Sequence, residues 1–440
     1  FDAVSYGIID DVSIKTIKFL LTIDGNHVTK PTHGNIPYLL WAGYKGNLPL
    51  IKHLLDLDSD IKFETSKGTN ILLMCGFGGQ KDTSLYEFLF SKGVDVNHTN
   101  SDGMNILLTL AQSRVEDKSI FKYLINKGLD WNYKDENNNG FFHYAAKAGN
   151  IKNMNLALKK GVDFKFVNKK GENAMFFATY GRRRSELMLK TFTFLDSLGL
   201  DVNIVNQDGQ TPLHQVVKRG NSQVIDFFLK HGVEINKIDN NGNTAFMNSI
   251  FGKHENITKL FPLIEDINIS NKQGHSAITN AVIYSKKDAF DFLISKGANL
   301  NVKDINNENL ISLAFQNYSK RRKDNFEYII SKLNAAGEID NSQSLNGNTI
   351  LHYAVKKNNV FLTKKALEMK INPNIKNKLG LTSLHLAAMK ASDYEIINLL
   401  LNAGADKSIL TNLGETSYDL AYENEILTSN NIDISSLRLN

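Results

Sequence analysis

Gly209-Gln210-Thr211-Pro212-Leu213-His214 opens a phrase that returns twice in closely similar form, as Gly347-Asn348-Thr349-Ile350-Leu351-His352 and Gly380-Leu381-Thr382-Ser383-Leu384-His385. Small residues follow two or three positions after each histidine: Val216, Ala354, and Ala387 with Ala388. Each phrase then runs into a leucine- and isoleucine-rich stretch and a Gly-x-Asp/Glu-x-Asn ending. The first and third phrases lie well apart, yet intervening stretches keep the same rhythm of about 33 residues. A unit of that length cannot bury its own apolar face. It must stack on copies of itself, which predicts an elongated solenoid rather than a pocketed globule.

Taking the loop glycine, or the Asn that replaces it, as a marker gives Asn35, Gly68, Gly103, Asn138, Gly171, Gly209, Gly242, Gly274, Asn307, Gly347, Gly380 and Gly414. Asn is the best substitute for Gly where φ must be positive, so the three Asn markers keep the turn. Phe1 to Leu21 reads as a helix pair without its opening loop. Two steps are long: 38 residues from Gly171 to Gly209, containing Arg182, Arg183 and Arg184, and 40 from Asn307 to Gly347, containing Lys320, Arg321, Arg322 and Lys323. Both additions are expected between the first and second helix of a repeat, as basic bulges on one side of the stack.

Within one repeat, Thr211-Pro212 opens a helix, the hydroxyl suiting an N-cap and Pro the first helical position. Leu213, Val216 and Val217 share one face. Gly220 follows the helix end, and Val224, Ile225, Phe227, Phe228 and Leu229 form the apolar stripe of a second helix.

Thr211-Pro212-Leu213-His214 resembles the signature of the ankyrin repeat family, and Gly404-Ala405-Asp406 and Gly297-Ala298-Asn299-Leu300-Asn301 resemble its closing phrase. The full tetrapeptide stands once, and the repeats opened by Gly242 and Asn307 are degenerate. The resemblance implies an all-α ankyrin-repeat solenoid of about 12–13 antiparallel helix pairs with projecting β-hairpin-like loops. It spans 1–425 as a single domain, with 426–440 as a capping tail.

Composition limits the function. Hydrophobic content is 42%, with six prolines, and the net charge of +5 is mild for 440 residues. No nucleic-acid module or concentrated basic stripe is present, so no nucleic-acid partner is expected. No apolar run approaches the roughly 18 residues of a membrane span. Cys75 is the one cysteine and stands where other repeats place Ala, so it reads as a small buried hydrophobe. The chain opens at Phe1 inside a repeat, which suggests a fragment or a mature form. Its Asn-, Lys- and Ile-rich composition and degenerate repeats resemble bacterial ankyrin proteins. That leans towards an exported location, with the cytoplasm as the alternative.

His143, His214, His352 and His385 occupy one register of the repeat. That predicts an architectural role: a neutral imidazole accepts one backbone N–H and donates across adjacent loops. Zinc would need ligands converging in one site. Asp95, Asp130, Asp163, Asp201 and Asp406 recur in the closing phrase as turn formers. Gly76-Phe77-Gly78-Gly79 lacks the Lys-Ser/Thr of a phosphate loop. No catalytic, cofactor or metal residues are assigned.

The resemblance implies that a protein partner is gripped by residues flanking the loop glycine and by positions at the end of the first helix. Here these are Gln207, Asp208, Gln210, Lys218 and Arg219, then Asn241 and Asn243, and Leu379, Leu381 and Lys390. Leu379 and Leu381 break the polar habit of these loops. Trp41, with Tyr44, is either core filler or an aromatic anchor. The reading is a monomeric, non-enzymatic scaffold for protein–protein interaction. The alternatives are an anion- or membrane-surface binder using the basic bulges, or the targeting module of a larger effector or enzyme.

Overall fold

The structure, a computed structural model, describes residues 2–113, 115–116, 118–181, 187–337 and 343–439. Among them the chain forms antiparallel helix pairs and divides into two compact units, Phe1–Lys237 and Ile238–Asn440. The first unit runs from the pair Ala3–Ile9 and Ile14–Leu21 to the pair Pro212–Arg219 and Ser222–Lys230. The second runs from Ala245–Ser249 and His254–Leu260 to Ser417–Tyr422 and Glu425–Ser429.

The two helices of a pair have different environments. A first helix lies between the first helices of neighbouring repeats and its own partner, so it is buried almost all round. In Ile71–Gly78 the residues Ile71 to Gly76 are all buried. Cys75 is among them, and burial pushes its thiol far up from the ordinary range, which leaves it an inert packing residue. A second helix keeps an outer face in solvent and buries a stripe, as Ser222–Lys230 buries Val224, Ile225, Phe227 and Phe228. Phenylalanines fill much of the space between layers. Phe121 meets Phe141 edge-on at 5.3 Å, and Phe192 meets Phe228 at 5.2 Å.

The carbonyl end of a first helix is repeatedly closed by the next repeat. The last C=O groups of a helix have no intrahelical partner and carry the negative end of its dipole. Lys45 Nζ donates to the Ile9 carbonyl at 2.9 Å, and the amides of Gln80 and Asn424 donate to Tyr44 and Ala388 at 2.7 and 2.9 Å. Arg219 does the same for Tyr180, and Arg322 for Tyr284 at 2.6 Å.

The projecting loops are hairpin-like turns: Asn206 N–H donates to Gln210 O at 3.0 Å and Asp239 N–H to Asn243 O at 2.9 Å across them, and among the described residues two form isolated antiparallel bridges, Lys134–Gly140 and Lys303–Asn309. One expectation needs correction: the 40-residue step is not spent only between helices. Its second helix, Lys323–Ala335, has 13 residues where Lys287–Ser295 and Val360–Glu368 have 9. The connection before it folds inward on Tyr318, whose ring lies 5.0 Å from Phe326 and 5.4 Å from Phe361. At the C-terminal end the helix Glu425–Ser429 is short, and the 3-10 turn Ser435–Leu437 buries Leu437 completely.

Candidate interaction surface

Most of the loops are built by one short oxygen-bearing side chain three residues before the marker. Asn206 Oδ1 accepts the N–H groups of Asp208 and Gln210, at 3.0 and 2.9 Å. Asp135, Asp239, Asn377 and Thr411 make the same two bonds in their own loops. This side-chain turn brings the marker residue to positive φ. At Gly347 φ is 76°, and an added Cβ would lie 2.9 Å from the Asn377 backbone of the next loop. That approach lets successive tips bond directly. Within the first unit Glu136 N–H donates to Asp102 O at 3.1 Å, Lys169 to Asn137 at 2.9 Å and Gln207 to Lys170 at 2.8 Å. Within the second, Ile305 donates to Gln273 at 3.0 Å, Leu345 to Asn306 at 2.8 Å and Lys378 to Asn346 at 3.0 Å.

The histidine register ties the loops to the first helices. Nδ1 of His214, His352 and His385 accepts the N–H of Thr211, Thr349 and Thr382, each at 3.1 Å. Nε2 of His352 reaches the Leu381 carbonyl of the next loop at 3.0 Å. Burial lowers the pKa of His352 and His385, which keeps them neutral as this bonding requires. His143 departs from the pattern. Gly140 replaces the threonine, Nδ1 has no partner, and the ring packs 4.5 Å from Phe166. The closing-phrase aspartates form turns: Asp95, Asp130, Asp163, Asp201 and Asp406 each accept the N–H two residues on. Among the described residues no group of three or more His, Cys, Asp or Glu is placed to hold a metal ion.

The sequence-predicted contact residues fall into different roles. Gln207, Asp208, Asn241, Leu379 and Lys390 are exposed, and Lys218 is half-buried. Gln210 is half-buried and accepts from Gln215 at 2.7 Å. Asn243 accepts from Asn271 of the next loop at 2.8 Å, and Arg219 caps Tyr180, so both side chains hold repeats together. Leu381 is half-buried beside its His352 contact rather than displayed. Trp41 is half-buried, donates to Thr32 Oγ1 at 2.8 Å and meets Tyr44 edge-on at 6.1 Å. Of the basic clusters, Arg182, Arg183 and Arg184 lie outside the described residues. Lys320 and Arg321 face solvent, whereas Arg322 bonds Tyr284 and Lys323 lies 4.5 Å over the Phe361 ring.

Sequence reasoning singled out Leu379 but missed that it belongs to a row of exposed aliphatics on the tips of the second unit. Ile305 is 59% exposed, Leu345 53%, Leu379 69% and Leu413 85%. They occupy four consecutive loops. Three of those loops are joined by the tip-to-tip backbone bonds, and the last by Asn412 Nδ2 to Lys378 O at 3.1 Å. The available signal was an aliphatic one or two residues before four successive markers.

Comparison with known proteins agrees with this geometry. A family model described as ankyrin repeats (3 copies) matches residues 39–135, 186–269 and 318–411, more than half of the chain. An ankyrin repeat protein of Acanthamoeba polyphaga mimivirus is 26% identical over 245 residues, covering 54% of this chain and 26% of its own length. Rabankyrin-5 of Mus musculus is 25% identical over 244 residues, covering 52% and 17%. An E3 ubiquitin-protein ligase of Arabidopsis thaliana is 23% identical over 309 residues, covering 60% of this chain and 19% of its own length. The chain thus spans about a quarter or less of these relatives. They come from a virus, an animal and a plant, so they lend no support to the expected bacterial kinship. No helix among the described residues is long and apolar enough to cross a membrane.

Proposed function

The chain belongs to the ankyrin repeat family, and from that premise we propose that it is a non-enzymatic protein-interaction module whose partner docks on the loop tips of the second compact unit. The observation that carries this reading is the row Ile305, Leu345, Leu379 and Leu413. Single exposed aliphatics need no explanation, but four on consecutive, mutually bonded tips form a preorganised apolar strip. Lys303, Lys376 and Lys378 border that strip, so the partner surface is apolar at its centre with acidic groups at its edge. Polar tips such as Gln207 and Asp208 contribute less, since exposed polar contacts at a rim carry little energy.

The basic-bulge reading is weaker, because Arg322 and Lys323 are committed to Tyr284 and Phe361. The test is a quantitative affinity capture with three proteins: the intact chain, Leu345→Asp/Leu379→Asp/Leu413→Asp, and Gln207→Ala/Asp208→Ala. The proposal expects the second protein to lose the specific partner and the third to retain it. Identical partners on all three would refute it.

A further inference from the structure

The spacing of the aliphatic tips in the second unit follows from how its repeats stack. First helices of successive repeats pack directly on one another, as Leu310–Gln316 does on Ile350–Lys356, and Ile350–Lys356 on Ser383–Lys390. Packed helices stand roughly 8–10 Å apart. The tips keep that pitch because each is bonded to the next: Leu345 N–H meets Asn306 O at 2.8 Å, and Lys378 N–H meets Asn346 O at 3.0 Å. Ile305, Leu345, Leu379 and Leu413 therefore offer one exposed aliphatic group roughly every 10 Å.

A chain lying along this row must repeat apolar groups on one face at the same interval. In a β-strand, same-face side chains recur at about 6.7 Å and then about 13 Å, and the tip spacing falls between the two. In an α-helix, residues seven apart share a face, and seven residues rise about 10.5 Å. A polyproline II segment also comes close, at about 9.3 Å for three residues.

The charges beside the row separate the last two. Lys303 and Lys376 are exposed at the incoming ends of their loops, four residues before the markers Asn307 and Gly380, and Lys378 is exposed two before Gly380. The carboxylates of these tips are turned inwards instead. Asp304 accepts the N–H groups of Asn306 and Glu308, each at 2.8 Å, and Glu415 accepts from Thr411 Oγ1 at 3.1 Å. The apolar row thus has a cationic edge. On a helix, the positions three and four residues along lie within roughly 60° of the contact seam, so their side chains reach that edge. On a threefold polyproline segment the other two faces stand about 120° away and point off the surface.

On the surface assigned above to a protein partner, we propose that the docked element is an amphipathic α-helix of at least about 22 residues, with an apolar residue at every seventh position and carboxylates beside that seam. This rests on the loop-tip reading and narrows it to one kind of partner. The aliphatic contacts supply most of the affinity, and the exposed lysines set orientation and choice of partner.

The test is fluorescence anisotropy of the whole chain with three labelled synthetic peptides. The first is a helical peptide of about 25 residues with Leu at every seventh position and Glu flanking that seam. The second has the same residues reordered into strict apolar–polar alternation. The third is proline-rich with Leu at every third position. Only the helical peptide should saturate. Leu379→Asp/Leu413→Asp alters exposed side chains, so it keeps the fold, and it should weaken that binding about tenfold or more. Lys303→Glu/Lys376→Glu leaves the aliphatics in place and should weaken it about threefold or more, with recovery by a helical peptide carrying Lys for the flanking Glu. The proposal is overturned if the helical peptide does not saturate, if either other peptide binds more tightly, or if both variants bind as the unmodified chain does. Should it fail while a crosslinker at Leu379 still captures a protein, the helix is wrong and the loop-tip surface stands. Silence in both experiments overturns both.

Discussion

His352 joins two loops at once: its Nδ1 takes the Thr349 N–H at 3.1 Å, and its Nε2 lies 3.0 Å from the Leu381 carbonyl of the following repeat. The ring is buried, so neither partner has water as a substitute. His352→Ala leaves both backbone groups unsatisfied and should cost about 2–4 kcal/mol in urea unfolding. A change below about 0.5 kcal/mol would show that the bridge is dispensable.

His143 sets a pH dependence. Burial lowers its pKa from 6.5 to about 4. Between those values the unfolded chain binds the proton and the folded chain does not. Stability from this group is therefore fully present above pH 6.5 and is lost as pH falls towards 4, by up to about 3 kcal/mol. His143→Leu should flatten that part of the stability–pH curve, measured by denaturant midpoints across the window. An unchanged slope would contradict the assignment.

Gly78 marks the closeness of neighbouring repeats. An added Cβ would stand 1.8 Å from the Tyr44 carbonyl oxygen, whereas one at Gly93 would meet nothing within 4 Å. Gly78→Ala should destabilise the chain by about 2–4 kcal/mol through overpacking. Gly93→Ala bears only the strain of its positive φ, about 1 kcal/mol. Thermal unfolding of both variants checks the order.

Arg322 is an architectural cation. Arg322→Ala removes the bond to the Tyr284 carbonyl and should cost about 1 kcal/mol, the exposed guanidinium being partly screened. Hydrogen exchange should rise locally around Tyr284 and Ser285. Uniform exchange across the unit would argue against a local cap.

The helix pairs and the histidine bridges were legible because their residues sit inside the repeated phrase at constant spacing. Thr349 and His352 are three apart, which is enough to anticipate the bond between them. The turn-building oxygen three residues before each marker was not, because it is Asn206 in one loop, Asp239 in another and Thr411 in a third. The chemistry is shared while the residue type varies. Leu379 was noticed, but Ile305, Leu345 and Leu413 escaped for a related reason: Leu379 and Leu413 stand one residue before the marker, Ile305 and Leu345 two. Arg219 and Asn243 looked available for a partner because their bonds to Tyr180 and Asn271 depend on how repeats stack. Spacing within one repeat does not display that.

Site-specific photo-crosslinking tests the loop-tip assignment most directly. A crosslinking residue placed at Leu413 or Leu379 is compared with one at exposed Asn398 on the second helix Glu395–Asn402. The tip positions should capture a single protein partner, and Asn398 should capture none. Capture from Asn398 with silence at both tips would contradict the proposed surface.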